Sequence, residues 1–199
     1  MNQSDSERIR SVIEGVGFEM TDREEEASLI GIVACSVRQK AIDKVYSKIH
    51  KWNQWKKERD LVTFVSGCIL PADEEKFLKL FDLFFRMNQL RELPDMLRQC
   101  GMATAFAARN PLDSVNRVDD LTDFWQVNPR YSKSFEAFVP IQNGCDKFCS
   151  FCVVPYTRGA EASRPVEQIL QEGVNLIKAG AKELVLLGQN VNAYHGQSK

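Results

Sequence analysis

Long apolar runs are missing from this chain: none approaches the ~20 residues a helix needs to cross a bilayer. The opening Met1-Asn2-Gln3-Ser4-Asp5 also lacks the basic segment followed by an apolar one that marks a secretory signal. Together these absences predict a cytoplasmic protein with no membrane partner. An excess of one charge is missing too. The net charge of −1 makes no bulk case for binding nucleic acid, so any such case must rest on a local patch. There is no internal repeat and no low-complexity tract. What is present is a hydrophobic content of 44% in 199 residues, enough to bury a core in one large or two modest domains. Six cysteines in a cytosolic chain of this size point to metal or redox chemistry before disulfides.

Strand-like and helix-like segments alternate, which predicts an α/β fold. Ser4 and Glu7 make a capping-box pattern ahead of the one-face stripe Ile9, Val12, Ile13 and Val16. Residues 29–34 read as a short buried strand ending at Cys35. A long helix over 37–59 follows, with Ile42, Val45, Ile49 and Trp52 inward. A second strand over 61–66 ends at Gly67-Cys68. A short helix over 72–80, an apolar segment over 81–85 and a helix over 90–99 close this first unit. Periodicity fades from Gly101 to about Ser134, where Asn110-Pro111 and Asn128-Pro129 suggest a linker. The domain expectation is therefore 1–103, a linker over 104–134, and a second unit over 135–199. In that unit, 135–142 reads as a strand and 143–162 as a cysteine-bearing loop. A helix starting around Ser163-Arg164-Pro165 follows, with Val166, Ile169, Leu170, Gly173 and Ile177 on one face and Gly180 as its C-cap. The next strand covers 183–187, with Gly188-Gln189-Asn190 at its end. In both units the chemically interesting residues come just after strands, where α/β sheets and barrels place ligands.

The segment Gly144-Cys145-Asp146-Lys147-Phe148-Cys149-Ser150-Phe151-Cys152 is a C-x3-C-x2-C cluster between a strand and a helix. Such spacing lets three thiolates converge on one inorganic core, and thiolates suit iron–sulfur clusters or zinc. A structural zinc wants four protein ligands. No fourth Cys or His is close in sequence, and only His195 and Cys100 stand as remote candidates. An iron–sulfur cluster is thus the first reading, zinc the second and unligated thiols the last, since three free thiols in an exposed loop invite oxidation. Phe148 and Phe151 are expected to limit solvent access to the site. By position alone Gly188, Gln189 and Asn190 could form a plain turn. Arg158, Glu161 and Arg164 read equally well as a solvated loop with ordinary ion pairs.

The three-cysteine loop with an aromatic before its last Cys resembles radical S-adenosylmethionine (SAM) enzymes. The run from Cys149 to Pro165 and the run Leu187-Gly-Gln-Asn-Val-Asn-Ala-Tyr194 are similar to the tRNA methylthiotransferase branch, and to its members acting on N6-dimethylallyladenosine. The resemblance implies a 4Fe-4S cluster on Cys145, Cys149 and Cys152 whose open iron chelates SAM, and reductive cleavage of SAM to a 5′-deoxyadenosyl radical. Phe151, Gly188, Gln189 and Asn190 would be the SAM contacts. It also implies a second, auxiliary 4Fe-4S cluster in the N-terminal domain. Cys35 and Cys68 each follow a predicted strand, and a parallel sheet would bring both to one edge. Alone they read as buried apolar thiols; by resemblance they are two of three auxiliary ligands. The third normally stands before a Met-Asn-x-x-Asp-Ser-Glu run, and Met1–Glu7 is that run, so the first strand and its cysteine are expected to be missing. Residues 135–199 supply barely two strand–helix units of a radical SAM (β/α) barrel, so a piece truncated at both ends, inactive alone, is expected. Cys100 is read as a plain buried thiol.

The implied activity is methylthiolation of the adenosine beside the tRNA anticodon, with flavodoxin or ferredoxin as electron donor and a monomeric enzyme. Alternatives are a related methylthiotransferase acting on threonylcarbamoyl-adenosine tRNA or a ribosomal protein, and a non-catalytic zinc-stabilised binding module. Lys40, Lys44, Lys48 and Lys51 form a basic stripe that could contact phosphates, though such runs are more often solvated faces. Trp52 and Trp55 are expected to be core and surface aromatics. No acid–base side chain is assigned a role.

Overall fold

A computed structural model describes residues 1–35, 39–102, 125, 127–131 and 135–196. Nearly all of the expected linker, 104–134, lies outside them. In the first unit, strands β1 (Leu29–Cys35), β2 (Val62–Cys68) and β3 (Leu83–Phe84) form a parallel sheet in that order. Parallel strands need crossovers. These are α2 (Gln39–Trp55) between β1 and β2, and α3 (Pro71–Leu78), with Pro71 in its first turn, between β2 and β3.

Alternation along the strands builds two cores, one on each face. Ile30, Ala34 and Val65 meet Ile42, Val45, Ile49 and Trp52 of α2, as the helical stripe predicts. Phe64 turns the other way, to Ile9 and Ile13 of α1 (Asn2–Gly15) and to Leu93 and Leu97 of α4 (Leu93–Gln99). A parallel sheet covered on both sides follows. All of these side chains are under a tenth exposed, and each Val, Ile, Leu and Phe among them contributes about 1.5–3 kcal/mol by leaving water.

In the second unit, β4 (Glu136–Pro140) pairs in parallel with β7 (Glu183–Leu187), and α6 (Val166–Lys178) crosses between them. Before it, β5 (Gln142–Asn143) and β6 (Ala162–Ser163) pair antiparallel and close the base of the cysteine loop. Inside that loop lies a short helix, α5 (Val154–Arg158), with Pro155 in its first turn. Sequence periodicity does not reveal it, because five residues are too few to show a 3.6 period.

Three local expectations are corrected. The capping box is not made: α1 begins at Asn2, so Ser4 lies inside the helix and accepts from Arg8 Nη1 at 2.6 Å, while Glu7 accepts from Gln3 Nε2 at 3.3 Å. The long helix ends at Trp55, and the chain from Lys56 to Arg59 closes in turns. On α6, Leu170 and Ile177 are each 62% exposed. The helix instead buries Leu176, with Ile169 and Leu184 packed against it. The apolar residues of this helix form one wide stripe, and periodicity could not tell which edge of that stripe meets the sheet. Gly180, at φ +102, closes the helix as expected, its N–H donating to Ile177 O at 3.0 Å.

Candidate functional site

Cys35 and Cys68 are the last residues of β1 and β2 and are register partners across the pair. Because Cβ atoms alternate along a strand, partners in neighbouring parallel strands project to the same side. Cys68 is buried, Cys35 is partly buried, and neither is in a disulfide. Cys100 lies with Leu61 and Val62 around a second cavity at the amino end of β2, opposite Cys68, so it cannot join the pair. It is half-buried, and burial pushes its thiol pKa up.

The three-cysteine loop springs from a fixed base. Gln142 is fully buried. Its Nε2 donates to Gly144 O at 2.7 Å, and its Oε1 accepts from Asn190 N at 3.2 Å. Gln189 Oε1 accepts from Gly144 N at 3.0 Å. Gly188, Gln189 and Asn190 therefore stand beside the start of the loop, next to Cys145. A Cβ on Gly188 would come within 2.8 Å of Gln142 Oε1, so the chain passes too close for a larger residue. Further round, Cys145 N donates to Gly159 O at 3.2 Å and Cys152 N to Cys149 O at 2.9 Å.

Cys145 is buried at this base, Cys149 is exposed and Cys152 is half-buried. They share the loop but do not converge: among the described residues no three His, Cys, Asp or Glu side chains are grouped as a metal site. The donor set still suits iron and sulfide. It offers soft sulfur alone, because Asp146 accepts from Glu161 N and His195 pairs with Glu161. The expected shielding by aromatics is overturned. Phe148 is 61% exposed and meets Tyr156 edge-on, while Phe151 is 89% exposed, so both open to solvent. The loop is nine residues of polar and aromatic chain with no core beneath its tip, and burial there was not encoded locally.

Arg158 is not a solvated loop residue. It is buried, its Nε donates to Cys68 Sγ at 3.0 Å, its Nη1 donates to Asn143 Oδ1 at 3.3 Å, and its Nη2 forms an ion pair with buried Asp5. Burial works against the charged guanidinium, but the Asp5 carboxylate and the Cys68 sulfur outweigh it and raise its pKa. Burial pushes the Cys68 thiol up, with Arg158 pulling the other way. Arg164 is likewise buried; it pairs with Glu172 and lies 5.6 Å from the Trp125 ring. Between the two units is a cavity of about 230 Å³, walled by Gly67, Arg86 and Asn88 on one side and Asn143, Tyr156 and Arg158 on the other. Sequence reasoning missed Asp5, Gln142 and Asn143. The Met1–Glu7 run contains the first but gives no signal for it, since an Asp at the start of an amphipathic helix is unremarkable until Arg158 faces it.

Residues 1–85 match the uncharacterized protein family UPF0004, and residues 139–198 match the radical SAM superfamily. The two matches bracket the paired cysteines and the cysteine loop respectively. Across almost its whole length the chain is 38% identical to tRNA-2-methylthio-N(6)-dimethylallyladenosine synthase of Wolbachia pipientis subsp. Culex pipiens, over 99% of this chain and 45% of that protein. The synthase of the same name from Neorickettsia sennetsu is 38% identical over 98% of this chain and 42% of its own length. That from Ruegeria sp. is 40% identical over 98% and 44%. The chain belongs to the radical SAM methylthiotransferase family. It spans less than half the length of these relatives. Radical SAM proteins use a 4Fe-4S cluster and SAM, and the match to that superfamily spans the three-cysteine loop. No helix among its described residues is long and apolar enough to cross a membrane.

Two of the four lysines of the basic stripe on α2 are engaged within the first unit. Lys48 and Lys51 both pair with Glu24, and Lys51 also lies 4.4 Å from the Trp55 ring; beyond the helix, Lys56 pairs with Asp82 at 2.6 Å. Trp52 is 2% exposed and belongs to the core, as expected.

Proposed function

We propose that this chain supplies the auxiliary-cluster and SAM-cluster parts of an enzyme that adds a methylthio group to C2 of N6-dimethylallyladenosine beside the anticodon of tRNA. The observation that carries the reading is the 38–40% identity to synthases of that name over 98–99% of the chain. Structural support comes from two separate sulfur groupings, with Gly67, the residue before Cys68, and Arg158, in the helix after Cys152, both lining one cavity. In this reading Cys145, Cys149 and Cys152 hold the 4Fe-4S cluster that binds SAM. Phe151, Gly188, Gln189 and Asn190 contact SAM. The hydrogen bond from Gly144 N to Gln189 keeps that contact strand next to Cys145. Cys35 and Cys68 are two ligands of the auxiliary 4Fe-4S cluster. Together the bound groups supply the radical and the sulfur, and the protein positions and shields them. The cavity beside Arg158 receives the adenine, with Asn88 and Asn143 available as hydrogen-bonding partners and Tyr156 as a stacking face. A flavodoxin or ferredoxin delivers electrons, and the enzyme works as a cytoplasmic monomer.

Anaerobic reconstitution with iron and sulfide, followed by a visible spectrum and an iron count, is the direct test. A brown protein is expected, losing its loop cluster in Cys149→Ala and keeping it in Cys68→Ala. In the complete protein Cys149→Ala abolishes SAM cleavage. A colourless protein with one bound zinc would establish the binding-module alternative instead.

A further inference from the structure

Asn143 lines the cavity between the two units, and its neighbour fixes the sense in which it can hydrogen-bond. It is 4% exposed, and its place in β5 is set by the backbone pairing with Ala162 of β6. Its Oδ1 accepts from Arg158 Nη1 at 3.3 Å. Arginine carries donors alone, so the amide has to turn its oxygen to the guanidinium and its NH2 away. Asp5 pairs with Nη2 of the same guanidinium and holds the fork in place. No acceptor among the described residues takes Asn143 Nδ2. A buried N–H without an acceptor is unfavourable, and the cavity is where an acceptor can enter.

Charge narrows the class of ligand. The two arginines of the cavity wall, Arg86 and Arg158, already face the carboxylates of Glu74 and Asp5. Among the described residues lining the cavity no cation is left over for a phosphate, so the walls favour a neutral ring. Met87 and the half-open face of Tyr156 give that ring apolar surface to lie against. We infer that Asn143 is the specificity-determining residue of this cavity: its Nδ2–H donates to a ring nitrogen flanking C2 of adenine, N1 or N3, while Arg158 holds the amide in that sense. The inference rests on reading the cavity as the adenine site. C2 lies between those two nitrogens, so a donor on either one holds the carbon to be substituted against the wall. Guanine, with a proton on N1 and an amino group on C2, presents donors along the same edge and is rejected.

Nucleoside binding to the whole chain tests this without any turnover. Titrating 15N-labelled chain with N6-dimethylallyladenosine should shift the Asn143 Nδ2 proton pair, identified by its loss in Asn143→Asp. Equilibrium dialysis should show that nucleoside bound about tenfold more weakly by Asn143→Asp, as expected for one lost hydrogen bond and a facing acceptor. The Asp keeps an oxygen for Arg158, so an unchanged urea midpoint is expected. On the parent chain either the 1-deaza or the 3-deaza analogue should lose about tenfold in affinity, and the 7-deaza analogue should lose none. This analogue series decides the point even where Asn143→Asp does not fold. Equal binding by the parent and a folded Asn143→Asp, or a loss confined to the 7-deaza analogue, overturns the inference and leaves the cavity as an adenine site. Failure of the parent chain to bind the nucleoside at all overturns the reading of the cavity, and the inference with it.

Discussion

Gly144 and Gly159 offer a controlled pair, because both sit at φ +76 while their surroundings differ completely. At Gly159 an added Cβ meets nothing within 4 Å, so Gly159→Ala costs only backbone strain, on the order of 1–3 kcal/mol for a residue at φ +76 and ψ −163. At Gly144 the same Cβ would fall 2.0 Å from Ala160 O and 2.6 Å from its carbonyl carbon. Those atoms are backbone and cannot rotate away, so the base of the cysteine loop must open. Opening it breaks the hydrogen bonds from Cys145 N to Gly159 O and from Gly144 N to Gln189 Oε1. At about 1 kcal/mol each, on top of backbone strain, Gly144→Ala should cost about 2 kcal/mol more than Gly159→Ala. Urea unfolding with a slope of about 2 kcal/mol/M would then show a midpoint about 1 M lower for Gly144→Ala than for Gly159→Ala. The consequence reaches the site, since Cys145 is the next residue: iron uptake at the loop should fall in Gly144→Ala and hold in Gly159→Ala. Two variants of equal stability would refute the reasoning, because strain alone would then account for both.

Gln142→Leu removes the partner of Gly144 O and of Asn190 N in a fully buried setting, and should lower stability by about 2–4 kcal/mol in the same urea assay; a loss below 1 kcal/mol would mean those groups find other partners. Glu24 gives a pH dependence. The hydrogen bond from Lys48, helped by Trp52 and Lys51, holds its carboxyl below the ordinary value against the opposing effect of burial. A carboxyl depressed in the folded state stabilises fully above its unfolded value of about 4.3, and that contribution fades as pH falls through the folded value. Glu24→Gln should therefore cost about 1 kcal/mol or less at pH 7, with the gap to the parent shrinking by pH 3; a gap that widens in acid would contradict the sign.

The elements that carry this fold were legible because their signals are local. The stripe Ile42, Val45, Ile49 and Trp52 is buried as read, and the strand at Glu183–Leu187 lies where the apolar run predicted. Parallel strands brought Cys35 and Cys68 together because both close their strands and the register is in step. Where the pattern was ambiguous, the reading slipped. Helix α6 carries one wide apolar stripe, and only contact with Leu184 and its neighbours chose which edge of it is buried. The aromatics of the cysteine loop looked like a shield, yet exposure of Phe148 and Phe151 depends on what lies above a loop, which no local pattern states.

By itself the sequence determined the chemistry on offer: three thiols at short spacing, two more at strand ends, and helices whose apolar stripes must find a sheet. These follow from residue type and period, which act over a few residues. The tertiary structure alone decided which polar groups those thiols would meet. Asp5 and Arg158 are 153 positions apart in the chain, and neither charge is tolerable in the interior without the other. Such a pairing is a property of packing two units together, so it exists only once both have folded and met.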